Sequence, residues 1–285
     1  MTAISEKSIN YDQNLFSFIN KSNESKKPED PLALYLIGKL DKKGEMNLSL
    51  NAHVLRLKQI AATHYLSIQI MNNADISAAI QRAKTEFPKR PIELFVAQIH
   101  GTKDVLGFTA DATTGYYSIR DVKKDDFDLL SAECVICLTA CSAYSSDHES
   151  IARKIAAVSK RVVFAAKSTL PLDNFFYVTD LSNRKIEWFA LDQKLNKIIS
   201  VKLKYDVTKN EVVELPINKE AFNDVLIKMT LDAKAGCVDS QMVCGHIAAA
   251  TDKLEEALSF YRMALKNNAP NAQKYVNIIM KKLAV

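Results

Sequence analysis

Short apolar runs alternate with amphipathic stretches along the chain as far as Ala166. The apolar runs predict buried strands, and the stretches whose apolar residues recur at three- and four-residue steps predict helices. The predicted strands are 32–40, 65–71, 92–99, 134–140 and 161–166, and the predicted helical segments are 50–64, 75–86, 121–132 and 148–160. Strands and helices that alternate at this spacing indicate an α/β fold, in which a mostly parallel sheet carries helices on both faces.

The pattern changes after Pro171. Apolar runs at 185–190, 198–205 and 212–216 predict strands, and the turn between the last two indicates an antiparallel addition to the sheet. A smaller hairpin is predicted over 106–119, between two of the parallel strands.

These patterns divide the chain into three predicted parts. The stretch 20–31 is polar, charged and closed by prolines, and on this basis residues 1–30 are predicted to form a flexible N-terminal arm. Residues 31–218 make up the predicted α/β domain, and residues 219–285 make up a predicted helical tail.

The tail carries one strong helical pattern. Its apolar residues recur at three- and four-residue steps and form a single stripe, at Leu254, Ala257, Leu258, Tyr261 and Leu265. Following a helix predicted over 242–250, this segment strongly resembles the second helix of a tetratricopeptide repeat. One repeat cannot bury its own faces, because about three are needed for a stable array. We therefore expect a capping or docking element that contacts a protein partner; an ordinary helical pair is the alternative.

Two predicted strands stop on residues able to do chemistry. The run 92–99 continues into His100 and Gly101, and the run 134–140 continues into Cys141. If these strands lie side by side and parallel, their carboxyl ends bring an imidazole and a thiol to one edge of the sheet, where open α/β sheets build their sites. A thiol near an imidazole is the minimal equipment for covalent cysteine catalysis.

The residues around these strand ends suggest further roles. Gly101 lets the backbone approach a substrate closely because it has no Cβ, and the N–H groups of Gly101 and Cys141 are candidates for an oxyanion hole. Candidates for a substrate pocket, or for orienting the imidazole, are Asp111, Ser142 and Asp147. The structural alternative is that Cys141 is a small buried hydrophobe and His100 an ordinary strand-end histidine.

The segment from His100 to Cys141 resembles the caspase-like cysteine peptidases, and within them it is most similar to the CHAT family, which includes relatives of separase. Those domains carry a His-Gly at the end of one strand and an Ala-Cys at the end of the next core strand, with a hairpin and a short helical stretch between. The resemblance covers about residues 30–180. It implies a caspase-like three-layer α/β/α fold, a protein or peptide substrate, Cys141 as nucleophile and His100 as general acid/base.

The sequence departs from the family pattern beside the cysteine. Metacaspases place an aspartate where Thr139 stands, and CHAT sequences usually continue with an acid and a glycine where this chain has Ser142 and no nearby glycine. Two interpretations therefore stay open: a cysteine endopeptidase, and a catalytically inactive caspase-like module that binds other proteins. A third, weaker interpretation is a small-molecule hydrolase or transferase that uses the same two residues.

Other cysteines carry weaker signals. Cys134 and Cys137 form a Cys-x-x-Cys pair, but residues three apart in a strand point to opposite faces, so core positions explain them better than a redox pair or half a metal site. Cys237, Cys244 and His246 lie on a predicted helix, where packing is the better explanation. No metal and no cofactor is expected, and the glycines form no phosphate-binding motif.

Composition narrows the functions further. The 285 residues carry a net charge of +5 with no arginine-rich stripe, which gives little support to nucleic-acid binding. No apolar run approaches the roughly 20 residues of a membrane-spanning helix, and the polar N-terminus does not resemble a secretory signal. Five cysteines without a pairing pattern indicate reduced thiols and a cytoplasmic location. A bacterial protein exported by a signal-independent route would have the same pattern.

Overall fold

The computed structural model describes residues 17–20, 31–38, 64–70, 74–107, 116–146, 149–170, 175–180, 185–192, 194–195, 197–218 and 221–284. The chain divides into two units. The first unit comprises Met1–Thr169, Thr179–Ile186 and Ser200–Pro216, and the second comprises Leu170–Val178, Glu187–Ile199 and Ile217–Val285.

The strands in the described parts of the chain are β1 (Ser17–Asn20), β2 (Leu32–Gly38), β3 (His64–Ile70), β4 (Ile92–Gln98), β5 (His100–Gly101), β6 (Val105–Gly107), β7 (Tyr116–Ser118), β8 (Val135–Thr139), β9 (Val162–Ala166), β10 (Phe175–Asp180), β11 (Lys185–Ala190), β12 (Ser200–Asp206) and β13 (Glu211–Leu215). The helices are α1 (Ala74–Glu86), α2 (Ile151–Ser159), α3 (Ala221–Lys234), α4 (Val238–Ala250), α5 (Leu254–Lys266) and α6 (Ala272–Leu283).

The main sheet has eight strands in the order β1-β3-β2-β4-β8-β9-β12-β13. Its five central strands, from β3 to β9, are parallel. At one edge β12 and β13 are antiparallel additions, and at the other edge β1 pairs antiparallel with β3. The predicted α/β fold with a mostly parallel sheet and an antiparallel addition is confirmed. Strands β5, β6 and β7 form a separate small antiparallel sheet, and β10 pairs with β11.

One face of the main sheet packs against α1 and α2. Alternate strand residues such as Phe95, Ala97 and Leu138 form one buried cluster with helix residues such as Ile80 and Ile155. The strand residues of opposite parity, Val96 and Cys137 among them, are buried as well. Residues 50–63 of the helix predicted over 50–64 lie outside the described residues, and His64 belongs to β3 instead. Helices on the second face therefore stay a prediction.

Helix α2 shows how sequence sets an element's ends. The Ser150 hydroxyl accepts a hydrogen bond from the Arg153 backbone N–H at 3.4 Å and caps the first turn. The last turn closes at Lys160, which adopts a left-handed conformation with φ 58°. The helix is therefore shorter than the predicted 148–160, because the serine, rather than a preceding residue, satisfies the free N–H groups.

The helical segment predicted over 121–132 is wrong in most of its length. Only Lys124–Asp126 form a helical turn, and it is of the 3-10 type. The Asp126 carboxylate accepts hydrogen bonds from the Tyr117 hydroxyl at 2.5 Å, the Lys123 backbone N–H at 3.0 Å and the Ser77 hydroxyl at 2.9 Å. Side-chain bonds of this kind to nearby backbone compete with a regular helix.

Three strands differ from the sequence expectations. Strand β1 lies within the segment predicted to be a flexible arm, where the apolar pair Phe18 and Ile19 supplied a signal. Strand β10 was not predicted, although Phe175–Asp180 is rich in aromatic and β-branched residues. The predicted hairpin over 106–119 is confirmed in β6 and β7, whose connecting turn lies outside the described residues, but the third strand β5 was not predicted.

The second unit contains the helices α3 to α6, which confirms helices from residue 221 onward. Its core joins the aromatic residues Phe189, Tyr261 and Tyr275 with aliphatic residues such as Ile247 and Ile279. The Gln241 side chain ties three helices together, since it donates to the Ala233 carbonyl at 2.9 Å and accepts from Asn267 at 3.0 Å. Among the described residues, no helix combines the length and the apolar character needed to cross a membrane.

Candidate functional site

Strands β4 and β8 lie side by side and parallel, as the sequence analysis expected. Their register pairs Leu94 with Val135 at one end and Gln98 with Thr139 at the other. Both strands therefore finish at the same level of the sheet. His100 and Cys141 each follow two residues after this last pair, so the chain brings the two strand ends to one edge.

Contact between these strand ends is direct. A Cβ atom placed on Gly101 would lie 2.7 Å from the Cβ of Ala140 and 3.1 Å from the carbonyl oxygen of Cys141. A side chain at this position would overlap its neighbours, so the glycine allows the two backbones to approach. The Gly101 backbone thus lies against the residue that carries the thiol.

His100 belongs to the small sheet rather than to the main one. It pairs with Gly107, and Gly101 pairs with Leu106, in the antiparallel β5–β6 ladder. The Thr102 N–H donates to the Val105 carbonyl at 2.9 Å and closes the turn between these strands. His100 is exposed, so this histidine is open to solvent two residues past the end of β4.

Cys141 lies on a turn just past β8 and is partly exposed. Ser142 follows it in the left-handed region with φ 50°, and the Ser142 N–H donates to the Ser168 carbonyl at 3.0 Å. That N–H is therefore occupied, and the oxyanion roles expected from sequence for the N–H groups of Gly101 and Cys141 stay predictions. Asp111 and Asp147 lie outside the described residues, so their proposed roles stay predictions.

The first turn of α2 holds both loops. The Ile151 N–H donates to the Lys103 carbonyl at 2.7 Å, in the loop after His100, and the Ala152 N–H donates to the Ala143 carbonyl at 3.2 Å, in the loop after Cys141. The free N–H groups of a helix start need such acceptors. One helix therefore fixes the spacing of the two candidate catalytic loops.

Beneath the strand ends the sheet carries uncharged polar side chains. Thr139 is buried, and its hydroxyl donates to the Ala97 carbonyl at 3.1 Å. The neighbouring Gln98 is fully buried and accepts a hydrogen bond from the Tyr35 hydroxyl. Both buried side chains beneath the strand ends are thus neutral, and the Thr139 hydroxyl is already bonded within the sheet.

Solvent access separates the five cysteines, all of which lie in described parts of the chain. Cys134, Cys137 and Cys244 are buried, whereas Cys141 is partly exposed and Cys237 is exposed. Burial raises the pKa of the Cys134 thiol well above its ordinary value and raises the pKa of Cys244 to about 11. The thiols open to a reagent are therefore Cys141 and Cys237.

Sequence reasoning missed Tyr144 and Arg153, which fix the loop after the thiol. The Tyr144 hydroxyl accepts a hydrogen bond from the Arg153 guanidinium at 3.0 Å and donates to Glu214 on β13. The available signal was one aromatic residue in the otherwise small and polar segment 142–147.

Comparisons with known proteins give no further guide to the site. A scan against family models, a search of curated proteins and a search of solved structures each returned no match. In the parts of the chain that the structure describes, no three metal-binding side chains lie close enough to hold an ion.

Proposed function

We propose that the protein is a cysteine endopeptidase of the caspase-like class, with Cys141 as its nucleophile and His100 as its general acid/base. The observation that carries this proposal is the contact of Gly101 with Ala140 and Cys141, at the ends of adjacent parallel strands. Chemistry at this edge needs an accessible thiol and an accessible imidazole; Cys141 is partly exposed and His100 is exposed.

The proposed reaction has two stages. His100 takes the thiol proton as the Cys141 sulfur attacks the carbonyl carbon of a peptide bond; the C–N bond then breaks, and His100 passes this proton to the leaving amine. A water molecule next attacks the resulting thioester while His100 removes its proton; the C–S bond breaks, the carboxylic acid leaves, and His100 returns the proton to the sulfur. The N–H groups of Gly101 and Cys141 are the proposed donors to the oxygen that becomes negative in both stages.

The sequence resemblance supports the same assignment. In the caspase-like peptidases, a His-Gly and an Ala-Cys end neighbouring core strands, and a hairpin and short helical stretch connect them. This chain has a hairpin and a 3-10 turn between β4 and β8. Because Thr139 is uncharged and its hydroxyl is bonded to Ala97, we propose that the enzyme does not select a basic P1 side chain as metacaspases do.

Reaction with peptide-directed reagents tests the proposal. Peptidyl acyloxymethyl ketones that differ in their P1 side chain should label the wild-type protein at Cys141, located by mass spectrometry. The Cys141→Ala variant should lose this labelling, and His100→Ala should slow it at least tenfold. The matched control is Cys237→Ser, which removes the exposed thiol in the second unit and should leave directed labelling unchanged.

Two results would contradict the assignment. One is that no reagent of the panel labels Cys141 faster than the simple alkylator iodoacetamide at equal concentration. The other is that His100→Ala labels as fast as the wild type. Either result would leave an accessible thiol without the directed chemistry of a peptidase.

The second candidate function is a catalytically inactive module that binds another protein through the C-terminal helices. It is favoured by two apolar side chains four residues apart on α3, Ile227 and Leu231, which are 69% and 72% exposed. Residues four apart on a helix share one face, and contiguous exposed apolar surface marks protein contact sites. Under this alternative, an α3 variant with Ile227→Ser and Leu231→Ser loses partner binding, whereas Cys141→Ala keeps it.

A further inference from the structure

The thiol of Cys141 does not sit on a strand, so the loop that follows it must determine where it points. Strand β8 ends at Thr139, and Ser142 turns the chain through a left-handed conformation with φ 50°. A non-glycine residue adopts this conformation only where its surroundings hold it. The segment 142–146 therefore needs anchors if the sulfur is to have one orientation.

Backbone bonds supply the first anchors. The Ser142 N–H donates to the Ser168 carbonyl at 3.0 Å, and the Tyr144 N–H donates to the Ala166 carbonyl at 3.3 Å. Both acceptors lie at or just after the end of β9, beside β8 in the sheet. From Ser142 to Tyr144 the acceptor moves back from Ser168 to Ala166, so the loop reverses direction and runs antiparallel along the end of β9, whereas β8 and β9 pair in parallel.

The Tyr144 side chain supplies a second anchor, which reaches the edge of the sheet. The residue is 3% exposed, and its hydroxyl accepts from Arg153 Nη2 at 3.0 Å and donates to Glu214 Oε1. Arg153 Nη1 also donates to the Val212 carbonyl at 2.9 Å, and Lys167 Nζ lies 3.3 Å from Glu214 Oε2. The Tyr144 side chain is thus held by residues from three elements: helix α2, the end of β9 and the edge strand β13.

Charge and burial favour a single direction for the hydrogen bonds of the Tyr144 hydroxyl. Burial raises the pKa of the Tyr144 hydroxyl, and the hydrogen bond to Glu214 raises it further, so the hydroxyl stays protonated and able to donate. The Arg153 guanidinium lies 5.3 Å from the Tyr144 ring centre and adds a cation–π contact.

We propose that Tyr144 is a positioning residue for Cys141, and that Glu214 on the outer strand β13 sets the orientation of the thiol through it. The inference rests on the proposed cysteine chemistry, because it assigns these residues to the control of the same site. Neither residue touches the reacting atoms. A displacement of about 1 Å at a reacting group lowers rates by about two orders of magnitude, so an anchor three residues away is close enough to matter.

The test compares three variants in a Cys237→Ser background, where Cys141 is the accessible thiol. Tyr144→Phe keeps the ring and removes the hydroxyl, and Glu214→Gln keeps the shape and removes the charge. Glu211→Gln is the matched control, since Glu211 is exposed on the same strand β13. For each variant, the alkylation rates of Cys141 by the best peptidyl acyloxymethyl ketone and by iodoacetamide are measured, together with the melting temperature.

The ratio of the two alkylation rates separates positioning from general destabilisation. Tyr144→Phe should lower the directed rate about tenfold and Glu214→Gln about threefold, while iodoacetamide reacts within twofold of the wild-type rate and Glu211→Gln changes neither. Equal directed rates in all variants, or the same loss in Glu211→Gln, would overturn the inference.

A second measurement keeps the inference separate from the proposed function. If the wild-type protein does not react with any directed reagent, the peptidase assignment fails, and backbone amide exchange then decides the positioning role. Faster exchange of the Ser142 and Tyr144 amides in Tyr144→Phe and Glu214→Gln, but not in Glu211→Gln, supports the anchor. Unchanged exchange in all three variants overturns it.

Discussion

Two regions of the molecule contain a cysteine, a glycine and a histidine, and the structure places them in opposite surroundings. In the second unit the three residues are consecutive, Cys244, Gly245 and His246, on α4. In the first unit they come from two strand ends that are far apart in sequence, His100 and Gly101 on one and Cys141 on the other. The consecutive set is buried, whereas the separated set reaches the surface.

The helical set serves packing. His246 is 2% exposed, its Nδ1 lies 2.7 Å from the Tyr261 hydroxyl, and its ring meets those of Tyr261 and Tyr275 edge to face. Cys244 is fully buried, and burial raises its thiol pKa to about 11. A protonated, enclosed thiol is a poor nucleophile, so the packing interpretation made from sequence fits Cys244 and His246. It is wrong for Cys237, which is exposed at the start of α4.

Both glycines mark close approaches, but to different neighbours. A Cβ on Gly101 would meet Ala140 and the carbonyl of Cys141, and a Cβ on Gly245 would lie 2.5 Å from the Tyr261 ring. The first approach joins two candidate catalytic strands, and the second joins two helices of a core. The comparison teaches that the neighbours of a residue in space, rather than its neighbours in sequence, separate a candidate site from a packed core.

The largest effect should follow from Gly101→Ala. The added methyl group overlaps Ala140 and the backbone of Cys141, neither of which can rotate away. The strand ends must then separate, and a shift near 1 Å should lower directed labelling of Cys141 by about 100-fold. Overpacking should also lower the free energy of unfolding by about 1–3 kcal/mol. Labelling kinetics and urea denaturation measure the two effects.

The matched control is Gly107→Ala in the same small sheet. A Cβ there would lie 3.6 Å from the Cβ of His100, which is an ordinary contact. Directed labelling within threefold of the wild-type rate is expected for this variant. If Gly101→Ala behaved like Gly107→Ala, the contact between the strand ends would not matter for the chemistry.

Much of this contrast could be predicted from the sequence, because strand patterns and strand ends are local signals. The apolar runs that end at His100 and Cys141 predict two strands. Parallel pairing of these strands then predicts that their carboxyl ends lie together at one edge of the sheet. The β5 extension was harder to see, since Val105–Gly107 pairs with only two residues and leaves no periodic pattern.

Residues that act through long-range partners could not be found in this way. Tyr144 and Glu214 are 70 positions apart, and no local pattern links them. Likewise, the spacing of apolar residues in the segment 121–132 predicts a helix. The hydrogen bonds of Asp126 with Ser77 and Tyr117, however, depend on tertiary contacts. Sequence periodicity carries no information on such partners.

A smaller effect, confined to stability, is expected for Gly245→Ala. Alanine in a helix interior should gain about 1 kcal/mol over glycine, but the methyl group would overlap the Tyr261 ring, which is held by His246 and stacked on Tyr275. Overpacking of this kind costs about 1–3 kcal/mol, so a net loss of about 1 kcal/mol is expected from urea denaturation. Directed labelling of Cys141 should stay at the wild-type rate, in contrast to Gly101→Ala. A stabilised variant would mean that the Tyr261 ring can move aside.

The smallest effect should appear in the acid dependence of stability. Burial alone would raise the pKa of Glu214, but hydrogen bonds from Tyr144 and Lys167 and the charges of Lys167 and Arg153 together lower it. A carboxylate whose pKa is lowered in the folded state stabilises the protein at pH values above the ordinary glutamate pKa near 4.3. That stabilisation is lost as pH falls through the lowered pKa.

Glu214→Gln should therefore be less stable than the wild type near pH 7. The expected difference is only about 0.5–1 kcal/mol, because the ion pair with Lys167 is part-exposed. The difference should shrink as pH falls below about 5 and disappear once pH has passed through the lowered pKa, whereas Glu211→Gln should follow the wild-type curve throughout. A gap of constant size across this range would show that the stabilisation does not come from the carboxylate charge.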